Sequence, residues 1–165
     1  MADFVIFADN TVQVNRMIDD AVNQWLEESA GELEAQTKRN TAVGLVAGGK
    51  TKGDWSHYVS EAEQKAVIGN PDENAIWEEF GTGEYALHGD GRKGGWYIPI
   101  GDGEGMISEA VVQAYHFKVV YGKDGMRFAY TEGKRPKRAF ENAKDACEQR
   151  IKNALLIKLK GLESK

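Results

Sequence analysis

From Val14 onward the apolar positions Val14, Met17, Ile18, Ala21, Val22, Trp25 and Leu26 recur at intervals of three and four, the spacing of a helix that buries one stripe. With Asp9 or Asn10 as a cap, the pattern predicts a helix running past Gly31 and Leu33 towards Arg39, the longest element. A second stripe, Phe140, Ala143, Cys147, Ile151, Ala154, Leu155, Leu159 and Leu162, predicts a helix to near the C-terminus. Pro136 suits its first turn, and Lys158 and Lys160 suit its dipole. Between the helices the segments shorten. DWSHYVS and KAVIGN read as strands joined by EAEQ and stopped by Asn70 and Pro71, although Trp55, Tyr58, Val59 and Ala62 also fit a helix. HFKVVY and MRFAYT flank Gly122 to Gly125, a hairpin in which Asp124 and Gly125 supply the positive φ angles. Phe4 to Phe7 is a β-prone run suited to an edge strand, and Ala75 to Phe80 is one helical turn or a strand end. Ile107, Ala110, Val111 and Ala114 predict a short helix. The expected fold is α+β, with a long N-terminal helix and a C-terminal helix packed on a small, mainly antiparallel sheet.

The chain has 165 residues, 41% of them hydrophobic, enough for one modest core, so residues 1–165 are expected to form a single domain. Trp25, Phe80 and Phe140 are expected to converge in that core. A formal net charge of -5 gives no global basic field to hold nucleic acid through counterion release. Cys147 stands alone and the first ten residues lack the basic-then-apolar pattern of a secretory leader, which points to synthesis in the cytosol. The apolar runs are too short for a transmembrane helix. Nineteen glycines gather in two stretches, about 44–53 and 81–105, expected as long loops with a functional purpose.

Gly44 to Thr51, GLVAGGKT, matches the phosphate-cradling pattern G-x-x-x-x-G-K-[ST]. A working phosphate loop needs a buried strand before it and a helix opening on the lysine. Here QTKRNTAV reads as the end of a polar helix, and Gly53 falls within the first turn that should follow, so nucleotide binding through Gly49, Lys50 and Thr51 is the weaker reading. GDGEGMISEA echoes part of a calcium loop, but Ile100 and Val111 occupy the positions of its strongest ligands. His57, His88 and His116 lack the short spacing of a zinc site, and Cys147 on an apolar stripe reads as a small buried hydrophobe. No metal or cofactor is expected. Glu78, Glu79 and Glu84 have no nameable acid–base partner and read as structural or surface carboxylates, the first two on opposite faces of a strand. GKRPKR, Gly133 to Arg138, is the one concentrated basic patch; it reads as a solvated turn, as a contact to DNA phosphates or, in preference to DNA, as a dock for an acidic protein surface such as DAVNQWLEESAGELE of another copy.

AIWEEFGTGEY, then GRKGGWYIP, then TEGKRPKRAFENA together resemble a known family, and GDW followed by KAVIGN resembles the strand pair that precedes them there. The order of these segments is similar to that of the tail-component or neck proteins of long-tailed bacteriophages, over most of the chain. The residues that carry the resemblance are Glu79, Phe80, Gly81, Thr82 and Gly83, with Pro136, Ala139 and Phe140 at the last helix. It implies a structural virion protein and not an enzyme, placed at the head-tail junction as a homo-oligomeric ring around the DNA channel. Implied partners are other neck proteins such as a head-completion or stopper ring, a tail terminator or tail tube, and passing viral DNA. An acidic chain would suit such a ring, because weak repulsion keeps moving DNA from sticking. Lys50, Lys52, Arg92, Lys93, Lys134, Arg135, Lys137 and Arg138 are the expected partner contacts. The glycine-rich segments near Lys50 and Arg92 are expected to be open to protease in the free chain and protected in the particle.

Overall fold

The computed structural model describes residues 9–45 and 48–162, and the expected Phe4 to Phe7 strand lies outside the described residues. Helix α1 (Thr11–Asn40) begins where Asp9 Oδ1 accepts the Thr11 N–H at 3.0 Å, so Asp9 and not Asn10 provides the side-chain acceptor. Helix α5 (Ala139–Lys160) packs along α1. Ala139, Ala143 and Cys147 recur every fourth residue on α5 and are buried, and Ala30 and Thr37 are buried on α1. Side chains this small let two helices approach closely along one stripe. The Trp25 indole N–H donates to the Ile151 carbonyl at 2.8 Å, and Arg150–Glu32 and Lys158–Glu28 ion pairs cross between the two helices.

The one-turn helix α2 (Lys50–Gly53) leads into β1 (Ser56–Ser60) and β2 (Lys65–Gly69), an antiparallel hairpin with Tyr58 opposite Val67 that lies on α1. The strand reading of DWSHYVS therefore holds over the helical one. Helix α3 (Asn74–Phe80) follows, resolving the two readings of that segment in favour of a helix and placing Glu78 and Glu79 on it instead of on a strand. Beyond it come β3 (Trp96–Pro99), α4 (Glu109–Ala114), β4 (Lys118–Tyr121) and β5 (Arg127–Thr131). The second sheet is antiparallel in the order β3-β5-β4, with Ala129 of the central strand fully buried.

The class is α+β, and its strands divide between two small antiparallel sheets. Several local expectations change. In the β4–β5 turn Gly125 takes a positive φ and Asp124 does not; the Gly125 N–H bonds the Gly122 carbonyl, and the Gly122 N–H the Met126 carbonyl. Ile107 lies before α4 and bridges Ile100. Pro136 falls outside the last helix, which starts at Ala139 because Arg138 before it is left-handed, with φ 52. The expected convergence of Trp25, Phe80 and Phe140 does not occur. Phe140 stacks on Trp55 at 5.8 Å near the start of α5, Trp25 meets α5 near Ile151, and Phe80 is 41% exposed. Phe80 ends α3, and its neighbour Glu79 takes the buried side of that helix.

Candidate functional site

The segments EEFGTGE and TEGKRPK lie side by side, although neither is a strand. The Thr82 N–H donates to the Lys134 carbonyl at 2.9 Å, the Lys134 N–H to the Thr82 hydroxyl at 2.9 Å, the Glu84 N–H to the Glu132 carbonyl at 2.8 Å and the Lys137 N–H to the Glu78 carbonyl at 2.7 Å. The backbones touch closely enough to exclude side chains at three places. Gly81 has φ +74, and a Cβ there would stand 2.8 Å from the Lys134 carbonyl oxygen. A Cβ on Gly83 would run into the Glu132 carbonyl, and one on Gly133 into the Thr82 carbonyl, both positions being left-handed as well. These glycines close a joint and do not loosen a loop.

The joint delivers Glu79 to the start of α5. Its two carboxylate oxygens accept the amide N–H groups of Phe140 and Glu141, each at 2.9 Å, and the residue is 8% exposed. The first turn of a helix leaves such amides without intrahelical acceptors, and a carboxylate there also meets the positive end of the dipole. Glu79, read from the sequence as a structural or surface carboxylate, caps the start of α5. Glu78 on the same helix pairs with Lys134 and with Lys137, the latter at 2.7 Å. Burial pushes the Glu78 carboxyl up, and the hydrogen bonds from Lys134 and then Lys137 outweigh it, leaving its pKa below the ordinary value.

Beside the joint opens a groove of about 790 Å³ whose wall includes Ile76, Trp77, Phe80, Leu87 and Trp96. Ile76 is 59% exposed, Trp77 51% and Leu87 48%. The His88 ring lies against Phe80, with centroids 5.2 Å apart. The stretch expected as one long loop, about 81–105, is in fact shaped: it holds a 3-10 turn at Gly83–Tyr85, the strand β3, and the Glu84 carboxylate accepting the Gly94 N–H.

The expected contact cations do not form one free patch. Arg135 lies over the Tyr85 ring at 4.3 Å, Arg92 over Trp96 at 5.6 Å, Lys93 pairs with Glu84 at 3.6 Å and Arg138 approaches Glu141 at 3.9 Å. With Lys134 and Lys137 held by Glu78, much of GKRPKR is engaged within its own chain. Lys50 and Lys52 sit apart on α2. In GLVAGGKT, the Thr51 hydroxyl donates to Asp72 Oδ2, which helps lower the Asp72 pKa, and the Thr51 carbonyl accepts from Asn70 Nδ2 at 2.7 Å. Asp72 thus ties this turn to the start of α3. Elsewhere His57 is clasped between Glu34 (Nδ1 to Oε2, 2.5 Å) and Glu27 (Nε2 to Oε1, 3.2 Å), across the face where the hairpin meets α1.

Of the residues singled out in the sequence, Glu79, Gly81, Thr82 and Gly83 meet the segment that leads through Pro136 to Ala139 and Phe140; Pro136 Cδ would lie 2.9 Å from a Cβ on Gly81. Phe80 turns away into the groove. Ile76, Trp77 and Leu87 were missed as surface residues; in the structure Ala75 and Glu79 occupy the buried side of α3 and leave Ile76 and Trp77 off it. Compared with family models, with curated proteins and with solved structures, the chain finds no match.

Proposed function

We propose that the chain is a structural virion protein of the bacteriophage head-tail junction, a neck or tail-completion subunit that assembles as a homo-oligomeric ring around the DNA channel and joins head connector to tail. The observation that carries the reading is the joint itself. The two segments on which the resemblance rests, EFGTG and GKRPKRAF, are brought together by Glu79 and by the close glycine contacts, so the residues have a shared structural task. Their chemistry is that of holding two elements at a fixed angle, which suits a subunit whose neighbours must repeat around an axis.

The assembly part of the reading draws on surface. Exposed apolar side chains gather at the groove, where Ile76, Trp77, Phe80 and Leu87 stand 41 to 59% exposed. A contiguous apolar patch of this kind marks a surface for contact with other protein. Among the described residues no helix is long and apolar enough to cross a membrane. The test is immunogold electron microscopy, with antibody raised to the chain, on particles whose genome encodes it. Label is expected at the head-tail junction; label confined to capsid faces or tail tip, or absent from the particle, overturns the proposal.

A further inference from the structure

The molecule carries a second apolar surface, remote from the groove. Along α5 Cys147 is buried and the Ile151 carbonyl accepts from Trp25 of α1, while on its last turns Leu156 and Ile157 stand 55% and 70% exposed. Lys160 flanks Leu156 and Ile157, Lys152 one turn earlier is paired with Glu148, and no carboxylate occurs between Lys152 and Gly161. Leu156 and Ile157 form a basic-edged apolar ridge. The groove has the opposite character: from Asp72 to Gly91 the chain has six carboxylates and no lysine or arginine. Some are satisfied internally, but Asp90 lines the groove and the exposed Glu73 stands one turn before Trp77 on α3. Arg92, the cation on the wall, is turned onto the Trp96 ring.

The two surfaces lie at opposite ends of α5. The groove adjoins its first residues through Glu79, and the ridge is centred sixteen residues on, about 24 Å away at 1.5 Å rise per residue. One copy cannot bring its own ridge into its own groove. A contact made by two different patches is heterologous, and each copy added leaves one groove and one ridge open, so the assembly continues until it closes.

From this we infer that the groove of one copy receives the Leu156–Ile157 ridge of a second copy, with Lys160 meeting the Glu73 and Asp90 carboxylates at the groove. The inference deepens the ring reading by naming the two faces, and it rests on that reading only for the choice of a second copy as occupant.

The test uses the full chain. Trp77→Asp damages the groove and leaves the ridge; Ile157→Asp does the reverse. Both side chains are exposed, so the fold is expected to survive, as checked by circular dichroism and urea midpoint; Leu87→Asp and Leu156→Asp serve as second variants of each face. By light scattering after size exclusion, wild type is expected to form higher oligomers and each variant alone to remain monomeric. An equimolar mixture of the two is expected to give a heterodimer and stop there, because one intact groove and one intact ridge remain. A wild type that stays monomeric at its highest soluble concentration overturns the inference, as do single variants that still assemble or a mixture that stays monomeric. Immunogold label at the junction together with any of those results would separate failure of this interface from failure of the proposed function.

Discussion

The Glu79 carboxylate meets two amides that the start of α5 would otherwise leave without acceptors in a nearly dry position. Glu79→Ala is therefore expected to cost about 2 kcal/mol in urea unfolding, and Glu79→Gln, which keeps one acceptor, less. A loss within error of zero would show the cap to be idle. His57 is the other residue with a charge to account for. Hydrogen bonds to Glu34 first and Glu27 second raise its pKa above the ordinary 6.5, against the opposing effect of burial. Hydrogen bonds from Lys38 and then His57 lower the Glu34 pKa below 4.5. Stability from the His57 cation is complete below about pH 6.5 and is lost as pH rises through the raised value. That from the Glu34 carboxylate is present above about pH 4.5 and is lost as pH falls through the lowered one. The clasp between hairpin and α1 should be strongest between these limits. Urea midpoints measured from pH 6 upward are expected to decline in wild type more than in His57→Gln; parallel profiles would remove the clasp as the cause.

At the scale of elements, the joint between α3 and α5 depends on glycine for contact as much as for φ. Gly133→Ala, at φ +113 with the Thr82 carbonyl in the way, is expected to lose about 3 kcal/mol. Gly89→Ala serves as the comparison, since its φ of +72 is also left-handed but its Cβ would meet nothing, and about 1 kcal/mol is expected. Equal losses in thermal or urea unfolding would mean that backbone contact is irrelevant. The same elements show what pattern reading could reach. Helices α1 and α5 announce themselves through period over long stretches, and the β4–β5 hairpin through its turn residues, while the β1–β2 pair also fitted a helix at its first strand. Strand β3 did not announce itself, because Trp96 to Pro99 is four residues long and follows Gly94 and Gly95, so that its pairing with β5 is a long-range fact. Phe80 was assigned to the core on hydrophobicity alone, whereas the burial of Glu79 decided which side of α3 faces inward.

For the whole molecule, the two opposed surfaces predict how association responds to salt. Raising salt screens Lys160 from the groove carboxylates, and is expected to slow association while dissociation changes little, because the apolar contact is insensitive to screening. Stopped-flow light scattering across a salt series separates the two rates; an effect confined to dissociation would argue against the charge pairing. The exposed apolar side chains have the same origin as the thin core. Among the described residues the fully buried side chains are small, the largest being Thr37 and Cys147, and the large aromatics are mostly half-buried or exposed. Contact with other molecules is the physical means by which a chain built this way covers its remaining apolar area.

Periodicity by itself determined the two long helices, and turn residues the β4–β5 hairpin, because these are written in local spacing, whereas DWSHYVS fitted a helix as well and needed the structure to settle it as a strand. Composition determined that the chain carries no strong field for nucleic acid. Only the tertiary structure decided that Glu79 caps a helix sixty residues further on, that Lys134 and Lys137 are held by Glu78, and that Trp77 and Phe80 face outward beside a groove. Those outcomes turn on which backbones come within hydrogen-bond reach of each other, and residues far apart in a chain carry no local sign of that meeting.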